Sequence, residues 1–360
     1  MALLEVDDLT VQFYTEDGVV TAADELSFTV ESGEKFGVVG ESGAGKSVTA
    51  LSLMRLIEEP GRITDGEIRF KGEDILSMSE SEVRSIRGNE MAMIFQDAQT
   101  ALNPVYTVGE QISEAVRHHL DYSEADARDR AVQLMDDVGI PEPDARYDDY
   151  PHQFSGGMQQ RVVIATALSC DPDLLIADEP TTALDVTIEA KILDLIENLA
   201  DEYDTAVQLI THDLGVIAEV CDRVMVMYAG KPVEKAPVDD LYYDPKHPYT
   251  VGLMSSIPRV GEQRDRLQTI PGTMPDLVEL PSGCSFHPRC PFAEDACTRK
   301  EPPLVDHETG QAADGDTDQH VAACLEYTGD LVEGLDYQVD VDGADPNTGS
   351  ATERGRDHGA

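Results

Sequence analysis

Gly40-Glu41-Ser42-Gly43-Ala44-Gly45-Lys46-Ser47 fits the pattern G-x-x-x-x-G-K-[ST], a loop whose chemistry is the holding of a polyphosphate. Glycines at 40, 43 and 45 let the backbone turn its N–H groups toward phosphate oxygens, and a helix starting behind them aims its positive end the same way. Lys46 is then placed to reach the β- and γ-phosphates, and Ser47 to ligate Mg²⁺. The expected nucleotide contacts are Gly40, Ser42, Gly43, Gly45, Lys46, Ser47 and Val48. A glycine-rich turn with a stray lysine would lack the flanking elements found here. The apolar run Phe36-Gly37-Val38-Val39 predicts a buried strand before the loop, and residues 47–57 predict a helix after it.

Two further segments could complete such a site. Leu174-Leu175-Ile176-Ala177-Asp178-Glu179 is an apolar strand ending in two acids, and a parallel sheet delivers strand ends to the edge where ligands bind. Asp178 suits the Mg²⁺ shell, and Glu179 suits a general base that orients the water attacking the γ-phosphate. Ser155-Gly156-Gly157 opens a second helix, so that Ser155 and Gly157 offer a hydroxyl and N–H groups to an anion. Read alone, Ser155 is an ordinary helix cap. A single ATP does not need two anion sites from one chain.

Phe154-Ser155-Gly156-Gly157-Met158-Gln159-Gln160-Arg161, shortly before the acid-ended strand, resembles the signature motif of ATP-binding cassette (ABC) ATPases. In that family two cassettes bind head to tail, and the signature of one closes over the ATP held by the loop of the other. The resemblance implies roles for other residues. Gln96 matches a glutamine that contacts the metal and attacking water, and His212 matches a switch histidine that hydrogen-bonds the γ-phosphate. Ala183-Leu184-Asp185 matches a loop crossing the dimer interface, and Phe13 or Tyr14 would stack on adenine. Phe154 stands where leucine is usual and Met158 where glutamine is usual, but neither removes the serine hydroxyl or glycine amides. Lys46, Gln96, Ser155, Asp178, Glu179 and His212 are all in place, which implies a hydrolysing subunit.

Three stretches resemble the ATPase subunits of dipeptide/oligopeptide importers: Ile94-Phe95-Gln96-Asp97 leading to Ala101-Leu102-Asn103-Pro104, Tyr150-Pro151-His152-Gln153 before the signature, and His247-Pro248-Tyr249-Thr250-Val251-Gly252-Leu253. That resemblance implies two transmembrane permease subunits, a second cassette subunit that is a paralogue or a copy, and indirectly an extracellular solute-binding protein. It places the chain on the cytoplasmic face of the cell membrane as a peripheral subunit. Importers of sugars or nickel remain an alternative, as does an ABC ATPase without a transport role. Cys284, Cys290, Cys297 and Cys324 cluster near the C-terminus, and clustered cysteines in a chain with no secretory signal favour metal over disulfide. Their thiolates could hold zinc or an iron–sulfur cluster, or stay reduced; they lack the C-x₂₋₄-C pairs of a zinc ribbon, and the importer resemblance implies a [4Fe–4S] centre. Such a centre is expected to be structural and distant from the ATP site.

The resemblance implies an α/β fold: a P-loop NTPase cassette with an antiparallel β subdomain, a helical subdomain and a cysteine-bearing C-terminal extension. The expected boundaries are 1–258 for the cassette, with its helical part at about 108–170, then 259–328 for the extension and 329–360 for an acidic tail of disordered composition. Residues 1–35 and roughly 60–90 alternate like strands flanking adenine. Ser123-x-x-Asp126 predicts a helix start, followed by a buried stripe of Ala127, Ala131, Leu134, Met135 and Val138. Ile188, Ile192, Leu195, Ile196 and Leu199 form a second stripe, expected in the core. The net charge of −45, from 71 acidic and 26 basic residues, argues against a nucleic-acid partner. With 41% hydrophobic residues the chain still folds, so the acid reads as adaptation to a salty cytoplasm, where charges are screened over about 3 Å at 1 M. No apolar run approaches the ~20 residues that span a bilayer.

Overall fold

The computed structural model describes residues 2–96, 98–182, 185–255, 270–312 and 319–335. The chain opens with strands β1 (Leu4–Thr15), β2 (Gly18–Val30) and β3 (Lys35–Val39), then helix α1 (Lys46–Leu53), strands β4 (Gly61–Phe70) and β5 (Glu73–Asp74), helix α2 (Glu80–Ile86) and strand β6 (Met91–Ile94). A helical stretch follows, comprising α3 (Ala98–Ala101), α4 (Val108–His119), α5 (Glu124–Asp137), α6 (Pro143–Arg146) and α7 (Gly156–Ala167). Strands and helices then alternate through β7 (Leu174–Asp178), α8 (Val186–Tyr203), β8 (Ala206–Thr211), α9 (Leu214–Val220), β9 (Arg223–Tyr228) and β10 (Lys231–Pro237). Helices α10 (Val238–Tyr243) and α11 (Pro248–Ser255) and the short strands β11 (Val305–Asp306) and β12 (Val321–Ala322) complete the order.

Two sheets carry the fold. One is antiparallel, in the order β2-β1-β4-β5, with Leu4, Val6, Leu9 and Val11 of β1 turned into a core shared with Phe36 and Val38 of β3. The other runs β11-β12-β10-β9-β3-β8-β7-β6 and is parallel from β9 to β6. Strands buried on both faces read as continuous apolar runs, which is why β7 and β8 are buried throughout. The parallel register brings the C-terminal ends of β3, β7 and β8 to one edge. All functional residues borne by these strands lie there.

In the helical stretch the Ser123 hydroxyl accepts the Asp126 N–H at 3.2 Å, and the stripe Ala127, Ala131, Leu134, Met135, Val138 is fully buried as expected. Such a cap stabilises a helix by about 1 kcal/mol. On α8, Ile192, Ile196 and Leu199 are buried and Ile188 and Leu195 partly so. This face is core.

Two expectations need correction. The segment 60–90 is not strand throughout: after β5 it forms α2, opened by a capping box in which Ser79 and Glu82 exchange hydrogen bonds. Ser79-x-x-Glu82 carried that signal in the sequence, masked by the alternation around it. Helix α1 ends at Leu53 rather than 57, where Arg55 turns into the left-handed region at φ 48°. The cassette boundary expected at 258 and most of the expected tail lie outside the described residues. Among the described residues, no helix is long and apolar enough to cross a membrane.

Candidate functional site

The loop between β3 and α1 is shaped by close backbone packing. A Cβ on Gly40 would lie 2.3 Å from the Met227 carbonyl oxygen, and one on Gly45 would lie 2.2 Å from that of Ala22. Gly45 also sits at φ +101°, a conformation L side chains rarely adopt. Gly43, at φ +84°, faces open space beside the exposed Ser42. Lys46, Ser47 and Val48 form the first turn of α1, whose N–H groups have no partner within the helix and point at the loop. Val48 itself is half-buried and packs on the antiparallel-sheet core.

Lys46 is only 5% exposed, and its ammonium donates to the carbonyl oxygens of Gly40 at 2.7 Å and Glu41 at 3.2 Å. Burial pulls its pKa down against the pull of Glu179, Asp178 and Glu41, while burial pushes Asp178 up against its hydrogen bond from Ser47. Both charges are therefore undercompensated by the protein and gain from a counter-charge brought into the loop. Ser47 Oγ donates to Asp178 Oδ1 at 3.1 Å, pairing two hard oxygen donors of the kind that ligate Mg²⁺. These residues fit the expected metal.

Glu179 follows directly at the end of β7, at φ 46°, with its N–H held by the Ile210 carbonyl at 2.9 Å. A non-glycine residue in that region is strained, and such strain clusters at functional sites. Its carboxylate accepts from Gln96 Nε2 and Thr182 Oγ1, both at 2.9 Å, and His212 Nδ1 stands 3.6 Å away. His212 is 68% exposed and Glu179 17%. The structure thus brings Gln96, Glu179 and His212 together, beside the Ser47–Asp178 pair.

Ser155 lies elsewhere. It is exposed at the N-terminus of α7, and its side chain makes no cap hydrogen bond. Gly156 faces open space, whereas a Cβ on Gly157 would sit 3.0 Å from Ile188. Of the stretch expected to cross a dimer interface, Ala183 and Leu184 lie outside the described residues, as does Asp97, and Asp185 caps α8 by accepting the Ile188 N–H. Phe13 is half-buried against Gly61, while Tyr14 is exposed with the Arg62 guanidinium 5.8 Å from its ring centre.

Several residues that sequence reasoning missed tie the C-terminal extension to the cassette. Strand β12 pairs with β10, and Phe286 of the extension packs edge-on to Tyr228 and Tyr249. The fully buried Glu234 accepts the N–H groups of Lys246 and His247 and the His320 imidazole at 2.7 Å. The Tyr249 hydroxyl accepts the Glu41 N–H at 2.9 Å, and Arg289 makes an ion pair with the Glu41 carboxylate. The region is therefore not distant from the nucleotide loop. The motif His247-Pro248-Tyr249 was the one sequence signal; Arg289 and Glu41, 248 positions apart, gave none.

Cys284, Cys290, Cys297 and Cys324 all line one narrow pocket of about 20 Å³, walled by Phe286, Phe292 and Leu325. Burial pushes the thiols of Cys290 and Cys324 up to about 11 and about 12 and raises Cys284 as well. Among the described residues no group of three His, Cys, Asp or Glu side chains closes on a point that could hold a metal ion. Four thiols lining one pocket are donors of the type that zinc or a thiolate-bound cluster takes, with no metal-holding point closed among the described residues.

A family profile described as ABC transporter matches residues 23–182, and one described as the C-terminal region of oligopeptide/dipeptide transporters matches residues 233–297. A putative peptide import ATP-binding protein of Brucella abortus is 51% identical over 300 residues, covering 83% of this chain and 90% of its own. The oligopeptide transport ATP-binding protein OppD of Salmonella typhimurium is 50% identical over 309 residues, covering 86% and 92%. A solved dimeric cassette, MJ0796 in a post-hydrolysis state with ADP and phosphate, superposes with a TM-score of 0.59 at 26% identity over 65% of this chain and 98% of that one. With half its residues shared along most of its length, and with the loop, the acid pair and the signature helix arranged as above, the chain belongs to the ATP-binding subunits of ABC transporters, in their oligopeptide/dipeptide branch.

Proposed function

We propose that this subunit binds ATP on its phosphate loop, hydrolyses it when a partner cassette closes over it, and so drives peptides inward through two membrane permease subunits. The observation carrying this reading is the contact of Glu179 with Gln96 and His212 beside the Ser47–Asp178 pair. Lys46 and the first-turn amides bind the phosphates; Ser47, Asp178 and Gln96 would hold Mg²⁺, which would offset the phosphate charge. Glu179 takes the proton of the attacking water, its carboxylate held by Gln96, and His212 beside it hydrogen-bonds the γ-phosphate. Phe13, or Tyr14, stacks on adenine.

Ser155 and Gly157 serve the other cassette's nucleotide, a reading supported by the exposed serine at the helix start, whose side chain makes no cap hydrogen bond. Peptide as cargo rests on the relatives' names and on the C-terminal region matched. Exposed Phe95, Val105, Tyr106 and Tyr150, near Gln96 and the helical stretch, suit a permease contact at the cytoplasmic face of the membrane. The four-cysteine pocket holds a [4Fe–4S] cluster that orders the extension. The test is Ser155→Arg: the isolated chain should still bind ATP, while hydrolysis at the partner's loop in the assembled transporter should fall at least tenfold. Loss of ATP binding by the isolated variant would place Ser155 in its own chain's site and sink the head-to-tail reading.

A further inference from the structure

The segment Cys284–Cys290 has a thiol of the cysteine pocket at each end and inserts its middle into the cassette. Phe286 packs against the touching pair Tyr228 and Tyr249, with ring centres 5.2 and 5.4 Å away. Arg289, 7% exposed, reaches the phosphate loop: its two terminal nitrogens donate to the two Glu41 oxygens at 2.8 and 3.0 Å. Its Nε donates to the Pro271 carbonyl at 2.8 Å, so the fork is aimed by the extension itself. A two-pronged guanidinium–carboxylate pair fixes orientation as well as charge. Glu41 is also held at its N–H by Tyr249, and its carbonyl receives the Lys46 ammonium.

We propose that Arg289 is a positioning residue for nucleotide binding, clamping and neutralising Glu41 so that the loop and Lys46 are free to receive the phosphates. Glu41 needs this because its carboxylate acts on Lys46 and sits on a loop built for an anion. Without Arg289 it would be an uncompensated negative charge competing with ATP for the same ammonium. The extension is then part of the nucleotide site, reaching it through a residue next to a pocket cysteine.

ATP affinity of the full chain, measured by displacement of a fluorescent nucleotide, tests this. Arg289→Met should bind ATP about tenfold more weakly, and Arg289→Lys, which keeps the charge but loses the fork, should lose several-fold. Adding Glu41→Gln to Arg289→Met should recover at least half of that loss on a logarithmic scale, because the unopposed carboxylate is gone. In the assembled transporter the Arg289 variants should raise the KM for ATP with kcat kept, since the clamp acts on binding and not on the attacking water. Unchanged affinity in Arg289→Met, or a second substitution that leaves the loss as it is or deepens it, overturns the proposal. Should Arg289→Met fail to fold, Arg289→Lys with and without Glu41→Gln carries the same comparison.

Discussion

The catalytic edge and the seam with the extension are both built around carboxylates, but they hold them differently. Glu179 is reached by Gln96, Thr182 and a mostly exposed His212, on strained backbone at a strand end. Glu234 is fully buried, and both its oxygens are engaged, by two backbone N–H groups and the His320 ring. The first arrangement can be remade as nucleotide and partner come and go; the second cannot be opened without leaving a buried charge unpaired. The edge is therefore expected to fail in turnover while keeping its fold, and the seam to fail in stability first.

The sharpest test of that contrast is Glu179→Gln, which keeps the shape and removes the base. Turnover should drop by about 10²–10⁴-fold while ATP affinity and the melting midpoint stay near those of the parent. A variant that hydrolyses ATP normally with its partner cassette would remove Glu179 from the role of base.

A smaller effect is expected at the seam. Protein purified without oxygen should be brown and contain iron and sulfide, and Cys290→Ser should lose the colour and several degrees of melting midpoint, because metal–thiolate bonds contribute directly to folding. Colourless anaerobic protein free of iron would leave the cysteine pocket with four thiols and no cluster.

The two regions also differ in how far the sequence exposed them. Gly40 to Ser47, Asp178-Glu179 and Ser155-Gly156-Gly157 were legible because each function needs adjacent residues of fixed type: amides for phosphate, acids at a strand end, a serine opening a helix. The parallel sheet then brought the first two to one edge, as that topology must, while the serine stayed at the start of its own helix. The seam was hidden because its partners are far apart in sequence. Glu234 with His320 and Glu41 with Arg289 are pairs of common residue types, with no spacing to read. The extension is proline-rich and weakly periodic, so its own sequence shows few means of ordering besides its cysteines. It finds others in β12 against β10 and in Phe286 against two tyrosines, contacts made with the cassette and not within the extension.

The mildest expected effect lies on β10 itself, where Lys235 is paired in register with Val321 of the extension and its ammonium donates to the Ser27 carbonyl at 2.9 Å. Burial, and then Arg223, pull its pKa from 10.5 down to about 8. Between those two values the unfolded chain binds more protons than the folded one, so this lysine's contribution to stability rises with pH from about 8 to 10.5. Below that window its full cost is present. Replacing it by Lys235→Met, which keeps the hydrocarbon stem, should raise stability at pH 7 by about 1–3 kcal/mol, with the gain fading as pH approaches that of a free lysine. Denaturant melts of both proteins from pH 7 to 10.5 check the slope, with 10.5 the ordinary lysine value. A gain that stays constant across the range would mean that packing, and not the buried charge, sets the cost of this position.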